Sequence, residues 1–197
     1  MQIRSKPMGP YATNCYIVSI NQKDFIIDPG MGATDWVIQN VINPVAILNT
    51  HGHFDHIWSN AELKEKFQVP IYINKEDAFL LQESQFGMSF PKSSADVTIE
   101  GDQELLIEGI KIKFLHFPGH TPGCSVIEIG DRWFSGDFIF KGSIGRVDFP
   151  YSDPKAMKES LLKFQQIDED RVVLPGHGEP TTIKDEQRYV HYWIERL

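Results

Sequence analysis

Between Thr50 and His56 the chain reads THGHFDH, three imidazoles and a carboxylate within seven residues, directly after the apolar run Val45 to Leu48. This stretch restricts the fold more than any other, because it must leave a buried strand, turn, and present four donor side chains to a common space. Imidazole nitrogen with carboxylate oxygen suits zinc, iron or manganese, whereas thiolate-rich sets form closed structural zinc sites and all-oxygen sets take calcium or magnesium. Residues two apart in extended chain point the same way, so His51 and His53 can grip one ion while Asp55 and His56, beyond a turn, face another. A polar surface turn with incidental histidines is a poor account of four ligand-type residues at this spacing.

The elements around the motif read as an α/β chain. Thr13 to Ile20 and Lys23 to Asp28 are rich in β-branched and aromatic residues and meet at Asn21 and Gln22, which predicts a hairpin. Asp28, Pro29 and Gly30 end the second strand, and Thr34 is expected to cap a helix with Val37, Ile38, Val41 and Ile42 on its apolar side, stopped by Pro44. Val45 to Leu48 reads as a strand covered on both faces, and α/β sheets place their sites at the C-terminal ends of such strands. Ser59 and Glu62 form a capping-box signal for a helix to about Phe67, with Glu62 spaced to pair Lys66. Pro70 to Ile73 follows as a strand and Lys75 to Glu83 as a helix.

From Ser84 to Ala95 periodicity vanishes, yet Phe86, Met88 and Phe90 are strongly apolar; the segment either covers a pocket or partner surface or folds its rings onto its own core. Strand signals return at Glu104 to Ile107, Ile110 to Phe117, Cys124 to Ile129 and Arg132 to Ser135. Asp153 and Pro154 open a helix carrying Met157, Leu161 and Phe164 on one face, Arg171 to Leu174 is a last strand, and the final helix, from about Ile183, shows a core-facing stripe of Val190, Trp193, Ile194 and Leu197.

Three further ligand-type residues follow short apolar runs and are framed by glycine or proline: His120 in PGHTPG, Asp137 in SGDFIF and His177 in PGHGEP. Such turns present a side chain at the rim of a sheet. Each is weak evidence alone; with THGHFDH they form a constellation. His116 and His191 fall outside it and are expected to serve packing or surface roles.

With 197 residues the chain suits one domain, 1–197, burying roughly 70% of its unfolded surface. A net charge of −8 without a basic patch argues against a nucleic-acid partner. MQIRSKPMGP lacks a signal-peptide core and no apolar run approaches the ~20 residues that span a bilayer, so a cytoplasmic protein without a membrane partner is expected. Cys15 and Cys124 form no CxxC pair and read as reduced core residues. Oligomeric state, monomer or homo-oligomer, stays open.

At these motifs the chain resembles the metallo-β-lactamase superfamily, and within it the glyoxalase II-like hydrolases, over nearly its whole length. The resemblance implies an α/β fold, a four-layer αββα sandwich, and a binuclear site: His51, His53 and His120 for one ion, Asp55, His56 and His177 for the other, and Asp137 as bridge. Zinc is the expected ion, with iron and manganese as alternatives. Two divalent ions sharing a water lower its pKa toward ~7, so a metal-bridging hydroxide would be the nucleophile, oriented by Asp55. The implied substrate is a small-molecule thioester such as S-lactoylglutathione, whose thiolate leaves readily.

Lys141 and Arg146, in FKGSIGRVDFP after the bridging Asp, are the candidate substrate cations in an acidic protein. In glyoxalase II a cation at the place of Arg146 contacts glutathione and an aromatic residue follows two positions later; here that residue is Asp148. The C-terminal helical domain of glyoxalase II is not expected here, and short bacterial glyoxalase II-like proteins are the nearer comparison. The alternative is a persulfide dioxygenase, similar around GRVDF, using one iron held by His53, His120 and Asp137; lactonase and phosphodiesterase readings rank lower. A non-enzymatic module with a stapling metal fits less well, because seven ligands for two ions leave positions open to water.

Overall fold

Three hydrophobic clusters separate the chain into four layers in the computed structural model, which describes residues 1–197. The first sheet contains β1 (Gln2–Met8), β2 (Thr13–Ile20), β3 (Lys23–Ile27), β4 (Pro44–Leu48), β5 (Ile71–Asn74) and β6 (Val97–Ile99), paired in that order. Its first three strands are antiparallel and the rest parallel. The second half supplies β7 (Gln103–Ile107), β8 (Ile110–His116), β9 (Ser125–Ile129) and β10 (Arg132–Gly136), a small ribbon of β11 (Ile139–Phe140) and β12 (Ser143–Ile144), then β13 (Val172–Pro175) and β14 (Thr181–Thr182). The second sheet runs β14-β13-β10-β9-β8-β7.

Strand periodicity explains the layering. In β2, β3 and β4 adjacent apolar residues point to opposite faces. Val18, Ile27 and Leu48 meet Phe114, Ile127 and Phe134 of the second sheet, whereas Ile17, Ile26 and Ile47 meet Val37, Ile57 and Leu63 on the outer helices. Those helices are α1 (Thr34–Asn40), α2 (Phe54–Ile57) and α3 (Asn60–Phe67). On the far side Val126, Trp133 and Val173 pack against α4 (Pro154–Gln165), α5 (Ile183–Gln187) and α6 (Val190–Ile194). The result is the expected αββα sandwich. Burial of a ring such as Phe114 or Phe164 stabilises it by about 1.5–3 kcal/mol. No helix is long and apolar enough to cross a membrane.

Several elements depart from the sequence expectation for identifiable reasons. Strand β1 carries a polar stretch, Arg4-Ser5-Lys6, that gives no apolar alternation; its pairing with β2 makes it a strand. Strand β6 has only three residues. Thr34 does not cap α1: Ala33 holds the cap position, and the Thr34 hydroxyl donates to Glu62 Oε2 at 2.8 Å. That bond also draws Glu62 away from a capping box, while Ser59 donates instead to the Gly30 carbonyl at 2.8 Å. The helix stops at Asn40, leaving Ile42 93% exposed. Lys75–Leu81 is a 3-10 helix capped by Asn74. The last expected helix breaks between α5 and α6, although Val190, Trp193, Ile194 and Leu197 all join the core.

The hairpin holds, with Asn21 and Gln22 both at positive φ as its tight turn requires. Both readings of the 84–95 segment apply, residue by residue: Phe90 is buried and Met88 packs on the core, while Phe86 is half exposed.

The chain's polar motifs collect at one edge of the sandwich, beyond the C-terminal ends of β3, β4, β10 and β13. The two sheets are stitched together there. Asn14 N donates to Gly176 O at 2.7 Å, Tyr16 OH to Pro175 O at 2.6 Å, and Ser125 N to Thr50 O at 2.9 Å.

Candidate metal centre

Strand β4 delivers the first four donors. After Leu48 the chain stays buried through Thr50 and His51, and His53 sits in extended conformation at the start of α2. The single turn of α2 then swings Asp55 and His56 to a second position, as the spacing predicted. His120 comes from the β8–β9 connection, Asp137 lies one residue past β10, and His177 two past β13. Donor atoms of His51, His53 and His120 lie within 4.8 Å of one another, as do those of Asp55, His56 and His177. Asp137 stands between the two groups, with Oδ1 3.3 Å from His56 Nε2 and Oδ2 3.4 Å from His120 Nε2 and 3.5 Å from His177 Nε2. All seven expected residues therefore converge.

The outward hydrogen bonds set the tautomers. His56 Nδ1 bonds Asp28 Oδ2 at 2.9 Å, His120 Nδ1 bonds the Arg146 carbonyl at 2.8 Å, and His177 Nδ1 bonds the Tyr11 carbonyl at 3.0 Å. Because a carbonyl or carboxylate only accepts, each Nδ1 carries the proton, and each Nε2 turns inward. Thr50 Oγ1 donates to Asp28 at 2.6 Å and so accepts from His51 Nδ1 at 3.1 Å, leaving His51 Nε2 as an inward lone pair. His53 points Nδ1 inward, 2.8 Å from His120 Nε2.

Three buried atoms at the centre make no well-formed hydrogen bond: His51 Nε2, and His56 Nε2 and Asp137 Oδ1, which face each other at 3.3 Å. Orphaned polar atoms cost about 1–3 kcal/mol each when buried. Their clustering on inward donors fits a pair of divalent ions, which neutral imidazoles and two carboxylates would hold.

The two groups differ electrostatically. Burial, reinforced by neighbouring histidines, drives His53 down to about 3 and His51 well below its usual value, so this triad is neutral and ready to ligate. Burial also opposes charge on His56 and His177, but Asp55 and Asp137 outweigh it, raising His56 well above its ordinary value and His177 to about 9. Against the upward push of burial, His56 and His177 hold Asp55 down at about 2.

Glycine makes the convergence possible. A Cβ at Gly176 would collide with Asp137 Oδ1 and stand 2.7 Å from His56 Cε1, so the PGHG turn passes against the donors only without a side chain.

Residues 8–177 match the sequence profile of the Metallo-beta-lactamase superfamily. The chain belongs to that superfamily. Among its relatives, the hydroxyacylglutathione hydrolase GloC of Haemophilus influenzae is 35% identical over 95% of this chain and 96% of its own. The crystal structure of the BLEG-1 B3 metallo-beta-lactamase superposes with a TM-score of 0.89 at 29% identity, covering 98% of this chain and 99% of that one. The structure of TTHA1623 in a di-iron-bound form gives a TM-score of 0.83 at 34% identity, covering 94% and 97%. This metallo-β-lactamase fold, with mixed sheets flanked by helices, carries its His/Asp cluster in an arrangement consistent with a binuclear site.

The supporting residues were not singled out in the sequence. Asp28, in the DPG turn, spends both oxygens on Thr50 N at 2.8 Å, Thr50 Oγ1 and His56 Nδ1, and so orients His56 instead of ligating. Asp77 accepts from Gly52 N at 2.9 Å, Thr121 Oγ1 at 2.6 Å and Gly123 N at 2.5 Å, clamping the His51–His53 bend to the His120 turn. Thr13 donates to Asp55 Oδ2 at 2.7 Å. The only local signal was an acidic residue beside a strand or turn.

Above the donors opens a cavity of about 530 Å³ walled largely by aromatic side chains. Arg146 lines it; Lys141 does not, its ammonium pairing with Glu179 Oε2 at 2.7 Å. His116 bonds the Pro122 carbonyl and His191 pairs with Glu195, both outside the centre as expected.

Proposed function

We propose that this metallo-hydrolase of the metallo-β-lactamase superfamily cleaves thioesters, with S-lactoylglutathione as reference substrate. The observation that carries the reading is the seven-donor set, two triads sharing Asp137 beneath an open cavity. The GloC relative supports the thioester class. Zinc is the expected ion, and the di-iron form of the 34% identical structure supports iron as the alternative.

Bound divalent ions supply Lewis acidity and an ionised water at neutral pH. The protein's own groups do the rest. Asp55, whose Oδ2 accepts a hydrogen bond from Thr13, would accept a hydrogen bond from the attacking water and hold its lone pair toward the carbonyl carbon. The new C–O bond forms as the C–S bond breaks, giving a carboxylate and a thiol, with the water's protons shared between thiolate and solvent. A thiol of pKa about 8.5 leaves without a dedicated acid. Phe86 and Phe149 flank His53 and keep bulk water from that side of the centre.

The test is thiol release from S-lactoylglutathione by protein loaded separately with zinc, manganese or iron, with Asp137→Ala as control. Metal-dependent release lost in the variant is expected. No release from any form, together with oxygen uptake on glutathione persulfide, would replace the hydrolase with the dioxygenase.

A further inference from the structure

The walls of the cavity carry a charge pattern that a glutathione arm does not match. Phe54, Phe86, Met88, Ile144 and Phe149 line it together with Tyr11, and outside the cluster of metal-ligand candidates Arg146 is the sole charged lining residue. That guanidinium is already engaged. Its Nε meets Asp148 Oδ1 at 2.8 Å and its Nη2 meets Oδ2 at 2.7 Å, a two-pronged pair, while the Phe149 ring lies 4.4 Å beneath it.

An exposed ion pair is weak in itself. Asp148, however, is tethered two residues away, so a dissolved carboxylate must displace an intramolecular partner already bound to both prongs of the guanidinium. Lys141 is paired with Glu179, and Glu83 sits in the side cleft that adjoins His53, where it accepts from Tyr151. The rim therefore offers an anion no free cation.

The aromatic wall is also held in place at a cost. Phe86 has φ +51°, a left-handed conformation that large side chains avoid, and the exchange of backbone bonds between Gln85 and Met88 keeps it there. The strained ring stands 5.8 Å from His53, 5.9 Å from Phe54 and 5.0 Å from Phe149, edge to face with each. Such a conformation persists only where the surrounding structure over-determines it, as this pairing does.

We propose that the site selects thioesters whose thiol arm is uncharged and apolar, lodged among Phe54, Phe86 and Phe149, and that Asp148 is the specificity determinant, excluding anionic arms by occupying Arg146. This rests on the thioester-hydrolase reading and names its substrate class.

Two thioesters with the same acyl group separate the alternatives: the S-lactoyl ester of benzyl mercaptan and S-lactoylglutathione. In the wild-type holoenzyme kcat/KM for the benzyl ester should exceed that for the glutathione ester by about tenfold or more. Asp148→Asn should move the ratio toward glutathione by about tenfold, through KM and most strongly at low salt, as expected for one freed charge-assisted contact. Phe86→Ala should move it the same way by weakening the benzyl ester more than the glutathione ester.

Binding provides a readout without turnover. Calorimetry of holoenzyme with S-methylglutathione and the neutral dimethyl ester of its N-acetyl derivative should show tighter binding of the ester, reversed or levelled in Asp148→Asn. A wild-type preference for the glutathione ester, or a ratio unmoved by Asp148→Asn, overturns the proposal while leaving the hydrolase intact. If neither thioester is cleaved the hydrolase reading fails, and the calorimetric preference alone then decides whether the pocket discriminates by charge.

Discussion

His56 Nδ1 lies 2.9 Å from Asp28 Oδ2, and this bond decides which nitrogen of the ring faces the centre. In Asp28→Asn an amide N–H must confront either the His56 N–H or the donors of Thr50. The ring would then lose its enforced tautomer, with a loss in metal affinity of about 10- to 100-fold, the usual range for such supporting partners. Titration of the apoprotein should show the ion at Asp55, His56 and His177 weakened more than the other. Equal affinities for both ions in variant and wild type would refute that role for Asp28.

Gly176 passes too close to His56 and Asp137 to accept a methyl group. Gly176→Ala should cut bound metal well below two equivalents while the far-UV circular dichroism stays native, because Gly176 belongs to none of the three apolar clusters. Elemental analysis of purified protein is the measurement, and two full equivalents would contradict the geometry.

Burial pushes the Asp77 carboxyl up to about 6, against the opposing pull of its three donors. A carboxyl whose folded pKa exceeds its unfolded value, here 3.8, binds its proton more tightly when folded. Its contribution is therefore fully present below pH ~4 and is lost as pH rises through ~6. Relative to Asp77→Asn, which cannot titrate, the wild-type unfolding free energy should fall by about 3 kcal/mol across that window. Urea denaturation of both proteins from pH 4 to 7 checks the slope. Parallel curves would show that Asp77 does not change its proton affinity on folding.

Chelation should destabilise without unfolding. The three apolar layers do not depend on the ions, whereas His51, His56 and Asp137 regain buried, unpartnered atoms when ions are removed. At metal concentrations of 100 Kd a single site adds about 2.7 kcal/mol, equivalent to roughly 5–10 °C in melting temperature for a chain of this size. Scanning calorimetry with and without chelator tests this. An apoprotein lacking a cooperative transition would make the metal structural instead.

What the sequence disclosed follows from distance along the chain. THGHFDH and the three framed turns are local patterns, and their residues converge as expected. The αββα order was visible because apolar runs of strand length alternate with helical stripes. Asp28 and Asp77 were not visible as supporting groups, since their partners lie 22 to 46 residues away and nothing in the DPG turn or the Lys75 segment announces them. The Thr34–Glu62 bond likewise joins two residues that each looked like a local cap. Strand β1 was hidden because its strand character comes from its neighbour.

The donors divide between the halves of the molecule, four from the chain following β4 and three from loops of the second sheet. His53 and His120 are 67 residues apart. An ion held jointly by them would act as a reversible cross-link, closing a loop whose constraint on the unfolded chain is worth about 4 kcal/mol by the chain-entropy argument used for disulfides. Metal supply would thus set part of the stability margin of the folded chain as well as its chemistry.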